Sequence, residues 1–225
     1  MAKHLFITGT GTDVGKTHFS VALIHHLRHC GHRVGGYKPV ASGGTFHDQR
    51  WSWSDAESIA DACGCGDVTK VCPQRFRDPL SPPMAAAREN REVDETRLIE
   101  GIQAWREVDW MVIEGAGGAM SPISKNWLNA DCMRKLAPDR SLLVASNRLG
   151  VQHDVLATVT ALQSKNVLID GVVLSQVQPH ADDSVEGNAA ELSRYLPDVV
   201  WIDLPHGEPR LTAEAKATID RIIDP

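Results

Sequence analysis

Two lysines, two acidic side chains and a run of glycines carry the chemistry this chain can do. Lys16 sits in Gly9-Thr10-Gly11-Thr12-Asp13-Val14-Gly15-Lys16-Thr17, between an apolar stretch and a helical pattern. Glycines let consecutive backbone N–H groups curl around an anion, and the helix that follows adds the partial positive charge of its N-terminus. In such a loop the lysine reaches the β- and γ-phosphates of a nucleotide and the threonine hydroxyl holds magnesium. The spacing is offset by one residue from the commonest phosphate-loop pattern, because Thr10 stands where the first glycine is usual and Gly9 precedes it.

Glu114 ends the apolar run Asp109-Trp110-Met111-Val112-Ile113-Glu114 and is followed by the flexible Gly115-Ala116-Gly117-Gly118. In open α/β sheets ligands bind beyond the carboxyl ends of the strands, so Glu114 is expected to face the phosphates, where a hard oxygen ligand suits magnesium. Lys38 closes a second apolar run, Gly36-Tyr37-Lys38-Pro39-Val40-Ala41-Ser42-Gly43, and should point at the same place. A lysine there is costly unless it meets an anion; a structural lysine with a satisfied partner is the plainer alternative. Asp55, in Ser54-Asp55-Ala56, can N-cap the next helix or ligate magnesium, and the two roles can coexist.

These groups need a scaffold. Short apolar runs recur at Leu5–Ile7, Val34–Val40, Trp110–Ile113, Leu142–Ala145, Gly171–Leu174 and Val199–Ile202. Continuous hydrophobicity is what strands covered on both faces require, which predicts an α/β fold: a mostly parallel sheet with helices on both faces, like that of phosphate-loop NTPases. After the glycine loop, Phe19, Leu23 and Leu27 recur every four residues with Ala22 and Cys30 beside them, and Gly31 supplies a stop, so a helix follows. Residues 42–53 and 71–83 have turn chemistry without a sustained period and are expected to be loops over the sheet edge.

The length of 225 residues and a hydrophobic content of 42% suit one domain over 1–225. A net charge of −6 and the lack of a basic cluster argue against nucleic acid as a partner and favour small substrates. Met1-Ala2-Lys3-His4 runs directly into Leu5-Phe6-Ile7 without room for a signal peptide, and no apolar stretch reaches the roughly 18 residues that span a bilayer. The expected location is the cytoplasm, with no membrane partner and with the five cysteines as reduced thiols. His25 and His29, and likewise His26 and Cys30, have the i, i+4 spacing of metal ligands. No third ligand is evident in the sequence, and an exposed polar helix face accounts for these histidines.

The segments from Gly9 to Thr17, Gly36 to Gly43, Ser54 to Ala56 and Ile113 to Gly118 resemble, in order and spacing, the motif series of dethiobiotin synthetases. A weaker likeness extends through Arg148-Leu149-Gly150-Val151-Gln152-His153 and Gly171-Val172-Val173 to Leu204-Pro205. The resemblance implies an ATP- and magnesium-dependent cyclo-ligase of biotin biosynthesis, usually a homodimer, which carboxylates 7,8-diaminononanoate with CO2 (supplied as bicarbonate) and closes the ring to dethiobiotin, releasing ADP and phosphate. It implies Lys16 and Lys38 as catalytic cations and Thr17, Asp55 and Glu114 as magnesium ligands. Thr12, Ser42, Gly118, Gly150 and Gln152 would contact the diamine or carbamate. Nucleotide contacts would come from Asp13, Val14, Gly15, Lys16, Thr17, His18, Asp55, Glu114, Gly115, Ala116 and Gly117, and from Ser175, Gln176, Pro205, His206 and Gly207.

Three positions depart from the family pattern: Pro83 replaces a frequent histidine, Gln152 an asparagine, and Ser175 the asparagine that commonly reads adenine. They support the alternative of a divergent phosphate-loop ATPase paralogue. A partitioning-type switch ATPase is a further alternative, but such proteins carry a lysine four residues before the Gly-Lys pair, where this chain has Gly11.

Overall fold

A computed structural model describes residues 2–105, 107–180, 183–207 and 210–223. In chain order the elements are β1 (Lys3–Gly9), α1 (Lys16–His29), β2 (Val34–Tyr37), β3 (Thr45–His47), β4 (Arg50–Ser52), α2 (Ser54–Cys63), α3 (Val68–Val71), α4 (Pro82–Arg88) and α5 (Glu95–Glu100). They continue with β5 (Trp110–Glu114), α6 (Asn129–Leu136), β6 (Arg140–Ser146), α7 (Val151–Ser164), β7 (Gly171–Ser175), α8 (Val185–Ser193), β8 (Val200–Leu204) and α9 (Ala213–Ile223). Six strands form one sheet in the order β2-β5-β1-β6-β7-β8, with every pairing parallel.

Alternate residues of each strand feed opposite faces, and both faces are covered. Leu5 and Ile7 of β1, with Val112, Leu142, Val144, Val173 and Ile202, pack against Phe19, Leu23 and Leu27 of α1, Ile59 of α2 and Ile219 of α9. Phe6, Met111 and Ile113 point the other way, toward Leu98 of α5 and Met133 of α6, while Leu143, Val172 and Leu174 meet Val151, Val155 and Val159 of α7. Two-sided burial is the physical reason these strands read as unbroken apolar runs.

All six expected strands are present, but the second stops at Tyr37, so Lys38 lies just past the strand rather than closing it. Residues 42–53 are not simply a loop. Thr45–His47 and Arg50–Ser52 pair antiparallel as a small separate hairpin, its turn made by Asp48 and Gln49 at positive φ. The stretch 71–83 likewise contains the end of α3 and the start of α4, where Pro82 and Pro83 occupy the first turn, the place at which a missing N–H costs a helix nothing.

The amino-terminal rim of the sheet is laced by polar contacts. Arg33 Nη2 donates to Asp109 Oδ1 at 2.8 Å, the His4 N–H to Asp139 Oδ2 at 2.7 Å, and the Ser141 N–H to Asp170 Oδ2 at 2.7 Å. The carboxyl-terminal rim is built differently, from glycine-bearing turns after β1, β5 and β8.

Candidate active site

The chain leaves β1 at the centre of the sheet, where strands on either side connect in opposite directions, the crevice in which α/β folds bind ligands. Residues 10–15 turn back over the strand end and deliver Lys16 and Thr17 to the first turn of α1. Two residues of this loop have left-handed backbone, Asp13 at φ 57° and Gly15 at φ 96°. Gly15 is required for a second reason: a Cβ there would sit 2.3 Å from Ser175 Oγ at the end of β7. The loop is pinned from beside by the Thr10 N–H donating to the Val144 carbonyl and the Ala119 N–H to the Gly9 carbonyl.

At the bottom of the site Glu114 is fully buried. Its Oε1 accepts from Thr17 Oγ1 at 2.8 Å and from Lys38 Nζ at 2.5 Å, and its Oε2 accepts from Ser20 Oγ at 2.7 Å. Lys38, only 3% exposed, also meets Asp55 Oδ2 at 3.0 Å. Burial alone pulls the Lys38 ammonium toward deprotonation, but the Glu114 and Asp55 carboxylates outweigh it and raise its pKa. Burial pushes Asp55 up, and Lys38, joined by the Thr17 hydroxyl and Lys16, more than reverses this, leaving the carboxyl below its ordinary 3.8. Asp55 is therefore not a cap: α2 has Trp53 at its N-cap, and Asp55 stands in the first turn, facing the lysine.

Lys16 is different. Burial is the largest influence and lowers its pKa, only partly offset by Glu114, with Lys38 lowering it further. Its Nζ donates to the Gly11 carbonyl at 2.6 Å, a neutral acceptor in the loop itself. A buried cation whose hydrogen-bond partner is a peptide carbonyl is poised to exchange that partner for an anion.

One cavity gathers Thr12, Asp13, Gly15, Lys16, Thr17, His18, Lys38, Asp55, Gly117, Ser175, Gln176, Pro205, His206 and Gly207. Glu114 lies beneath it, behind Lys38 and Thr17. Other expected positions stand apart from its lining. The Val14 side chain is in the core, and Gly115 and Ala116 are held in the turn above β5 by Asn129. Gly118 backs against the glycine loop, where a Cβ would meet the Thr10 carbonyl at 3.0 Å. Ser42 Oγ donates to the Leu80 carbonyl at 2.6 Å. Gly150 is the N-cap of α7, and Gln152 Nε2 donates to Asn188 Oδ1 at 3.1 Å, so neither reaches the cavity of its own chain.

Two residues that sequence reasoning missed complete the site. Ser20 holds the second oxygen of Glu114; its signal is positional, one turn beyond Lys16 on the same helix face. Asn129 is buried and organises the glycine turn after β5, its amide donating to the carbonyls of Ala116, Gly118 and Ser121 while its Oδ1 accepts from the Ala116 N–H. Nothing local in the sequence marks it, because its partners lie up to 13 residues away.

The donor set suits a small hard cation. Thr17 and Asp55 present oxygen atoms at the cavity beside the loop, and Glu114 offers a further carboxylate, the all-oxygen environment that magnesium takes.

A family model described as an AAA domain matches residues 3–209. The chain is 42% identical to an ATP-dependent dethiobiotin synthetase BioD from Rhodopirellula baltica, over 92% of this chain and 86% of that one. It is 37% identical to the protein of that name from Anaeromyxobacter dehalogenans strain 2CP-C, covering 95% and 94%, and 32% identical to that of Serratia marcescens, covering 89% of each. Among solved structures, the cell division protein FtsY of Thermotoga maritima superposes with a TM-score of 0.55 at 16% identity, over all of this chain and 69% of that one, a likeness of fold alone. With the phosphate loop, the buried Lys38–Glu114 pair and end-to-end similarity to these relatives in hand, the chain belongs to the dethiobiotin synthetase family.

Proposed function

We propose that this chain is an ATP-dependent ligase that carboxylates 7,8-diaminononanoate with CO2 and closes the ureido ring of dethiobiotin, releasing ADP and phosphate. The relatives' identity over nearly their whole length supports the reading. The observation that carries it is Lys38. A chain that only hydrolysed ATP would need the loop lysine; a second buried cation beside the phosphate loop, held charged by two carboxylates, suits a reaction with a second anion, the carbamate.

In this reading one amine of the diamine takes up CO2 as a carbamate. A carbamate oxygen attacks the γ-phosphorus and ADP leaves, giving a mixed carbamic–phosphoric anhydride. The second amine then attacks the carbamate carbon, phosphate departs, and the released proton passes to solvent. Holding that amine beside the anhydride supplies the proximity advantage, up to about 7–11 kcal/mol in well-oriented intramolecular reactions. Lys16 exchanges the Gly11 carbonyl for phosphate oxygens, and Lys38 neutralises charge between carbamate and phosphoryl group. Thr17, Asp55 and Glu114 hold magnesium, which screens the charge of the nucleotide phosphates. Because both Glu114 oxygens already accept bonds from Thr17, Ser20 and Lys38, its part includes fixing those three side chains in place.

Thr12, which lines the cavity, and Ser42, a few residues beyond the cavity-lining Lys38, contact the diamine or carbamate. Ser175, Gln176, Pro205, His206 and Gly207, at the ends of β7 and β8, take the base end of the nucleotide. The enzyme acts as one domain in the cytoplasm and as a homodimer, in which Gly118, Gly150 and Gln152 complete diamine recognition. The exposed Leu149 beside Gly150 is consistent with such a contact. No helix among the described residues is long and apolar enough to cross a membrane.

The test is a balance sheet. Protein is incubated with ATP, Mg2+, bicarbonate and 7,8-diaminononanoate, phosphate is followed, and the organic product is identified by mass. One dethiobiotin per phosphate, dependent on both diamine and bicarbonate, is the expected result. Phosphate release indifferent to the diamine, without a cyclic urea, would overturn it.

A further inference from the structure

We propose that His26, Cys30 and Asp220 form a second metal site, for a divalent cation of the zinc class, which staples the C-terminal helix α9 to the phosphate-loop helix α1. The three side chains bring one imidazole nitrogen, one thiol sulfur and one carboxylate oxygen within 4.8 Å of one another. His26 and Cys30 are one turn apart on α1, and the third ligand, which the sequence could not reveal, comes from 190 residues further along, on α9. The histidine is not part of an exposed polar face. Its side chain is 5% exposed, aimed at the helix–helix contact, and Nε2 lies 2.7 Å from Asp220 Oδ1.

The geometry is close to that of a loaded site. Bonds of about 2.0–2.1 Å to nitrogen and oxygen and about 2.3 Å to sulfur, at tetrahedral angles, separate N and O by about 3.3 Å and N and S by about 3.5 Å. Here Cys30 Sγ is 3.9 Å from both ring nitrogens of His26. Small rotations suffice: Cys30 is the exposed C-cap of α1, and the Asp220 side chain is 52% exposed, so both can move while His26 stays fixed. Charge also balances. Binding M2+ releases the Cys30 proton to solvent, so thiolate, carboxylate and dication sum to zero. Cys30 and Asp220 line a cleft together with His32, Arg221 and Ile223, from which an imidazole or a water can supply a fourth ligand.

The site is distinct from the magnesium ligands, which are all oxygens, whereas a thiolate and an imidazole select softer cations. Its consequence is mechanical: α1 starts with Lys16 and Thr17, and a metal at the other end of that helix anchors it to α9.

Intact protein, stripped of metal with chelator and held free of nucleotide, is titrated with Co2+. We expect one equivalent to bind with a thiolate-to-cobalt charge-transfer band and strong visible d–d absorption of tetrahedral type, both erased by Zn2+. The exposed substitutions C30S and D220N separate the ligands: C30S should abolish the charge-transfer band, and D220N should weaken Co2+ binding at least about tenfold. C63S/C65S should leave both unchanged, and Zn2+ should raise the Tm of the intact chain but not of C30S. Absence of the band from the intact chain, its survival in C30S, or unchanged affinity in D220N would overturn the assignment and leave His26–Asp220 as a hydrogen-bonded helix contact.

Discussion

The ammonium of Lys38 rests 2.5 Å from the carboxylate of Glu114, and neither side chain has appreciable access to water. Each charge depends on the other. Removing one partner of a buried pair leaves an uncompensated charge, so Glu114→Gln should lower stability by about 3 kcal/mol, the low end for such breakage because Asp55 remains beside Lys38. The double variant Glu114→Gln/Lys38→Met should recover much of that loss in denaturant unfolding while remaining inactive, which separates the pair's structural from its chemical contribution.

Lys38→Met alone tests the chemistry. Glu114 loses its cation but keeps the Thr17 and Ser20 hydroxyls, so the fold should survive with a stability loss like that of Glu114→Gln, about 3 kcal/mol. Product formation should fall by about 10²–10³ in kcat, the usual cost of deleting a charge-stabilising group, with ATP affinity changed far less. Lys16→Met should instead weaken ATP binding itself, readable by nucleotide titration.

Gly15 permits no side chain. Gly15→Ala places a Cβ against Ser175 Oγ on a backbone at φ 96°, so melting temperature and ATP binding should both drop. Adding Ser175→Gly removes the clash but not the left-handed strain of about 1–2 kcal/mol, and should restore only part of the stability.

Acid sensitivity follows from Asp55. Its folded pKa lies below 3.8, so its contribution is full above that unfolded value and fades as pH falls through the lower, folded one. The melting-temperature gap between the native chain and Asp55→Asn should be widest near neutrality and close below pH 3.8. Lys38 has the opposite sign: raised in the fold, it contributes fully below 10.5 and loses this only as pH climbs through the folded value.

Asn129→Ala removes the bracket under the glycine turn after β5 and takes away the side-chain partner of both the Ala116 carbonyl and the Ala116 N–H. A loss of about 1–3 kcal/mol in unfolding free energy is expected, with reduced turnover because Gly118 backs the phosphate loop.

How much of this the amino-acid sequence announces depends on the range of the interaction. The six sheet strands are legible because two-sided burial imposes unbroken apolar runs, and the Gly9–Thr17 loop because its geometry is local. The hairpin at 45–52 is not, since its exposed residues carry no burial pattern and its turn uses Asp48 and Gln49 rather than glycine. Lys38 and Glu114 could be placed at neighbouring strand ends, but not their direct contact, which depends on β2 pairing with β5 across 76 residues of chain. Asp55 reads as a cap from its neighbours alone; only the fold turns it toward Lys38.

The Arg33–Asp109 ion pair and the two backbone-to-carboxylate hydrogen bonds along the amino-terminal rim tie neighbouring strands together by side chains, whereas the opposite rim is shaped by glycine turns. Strand register is guarded at the tied end, away from the cavity. Amide hydrogen exchange should accordingly run as a gradient along each strand, slowest toward Arg33, Asp109 and Asp170, so that catalytic turnover never has to loosen the fold that supports it.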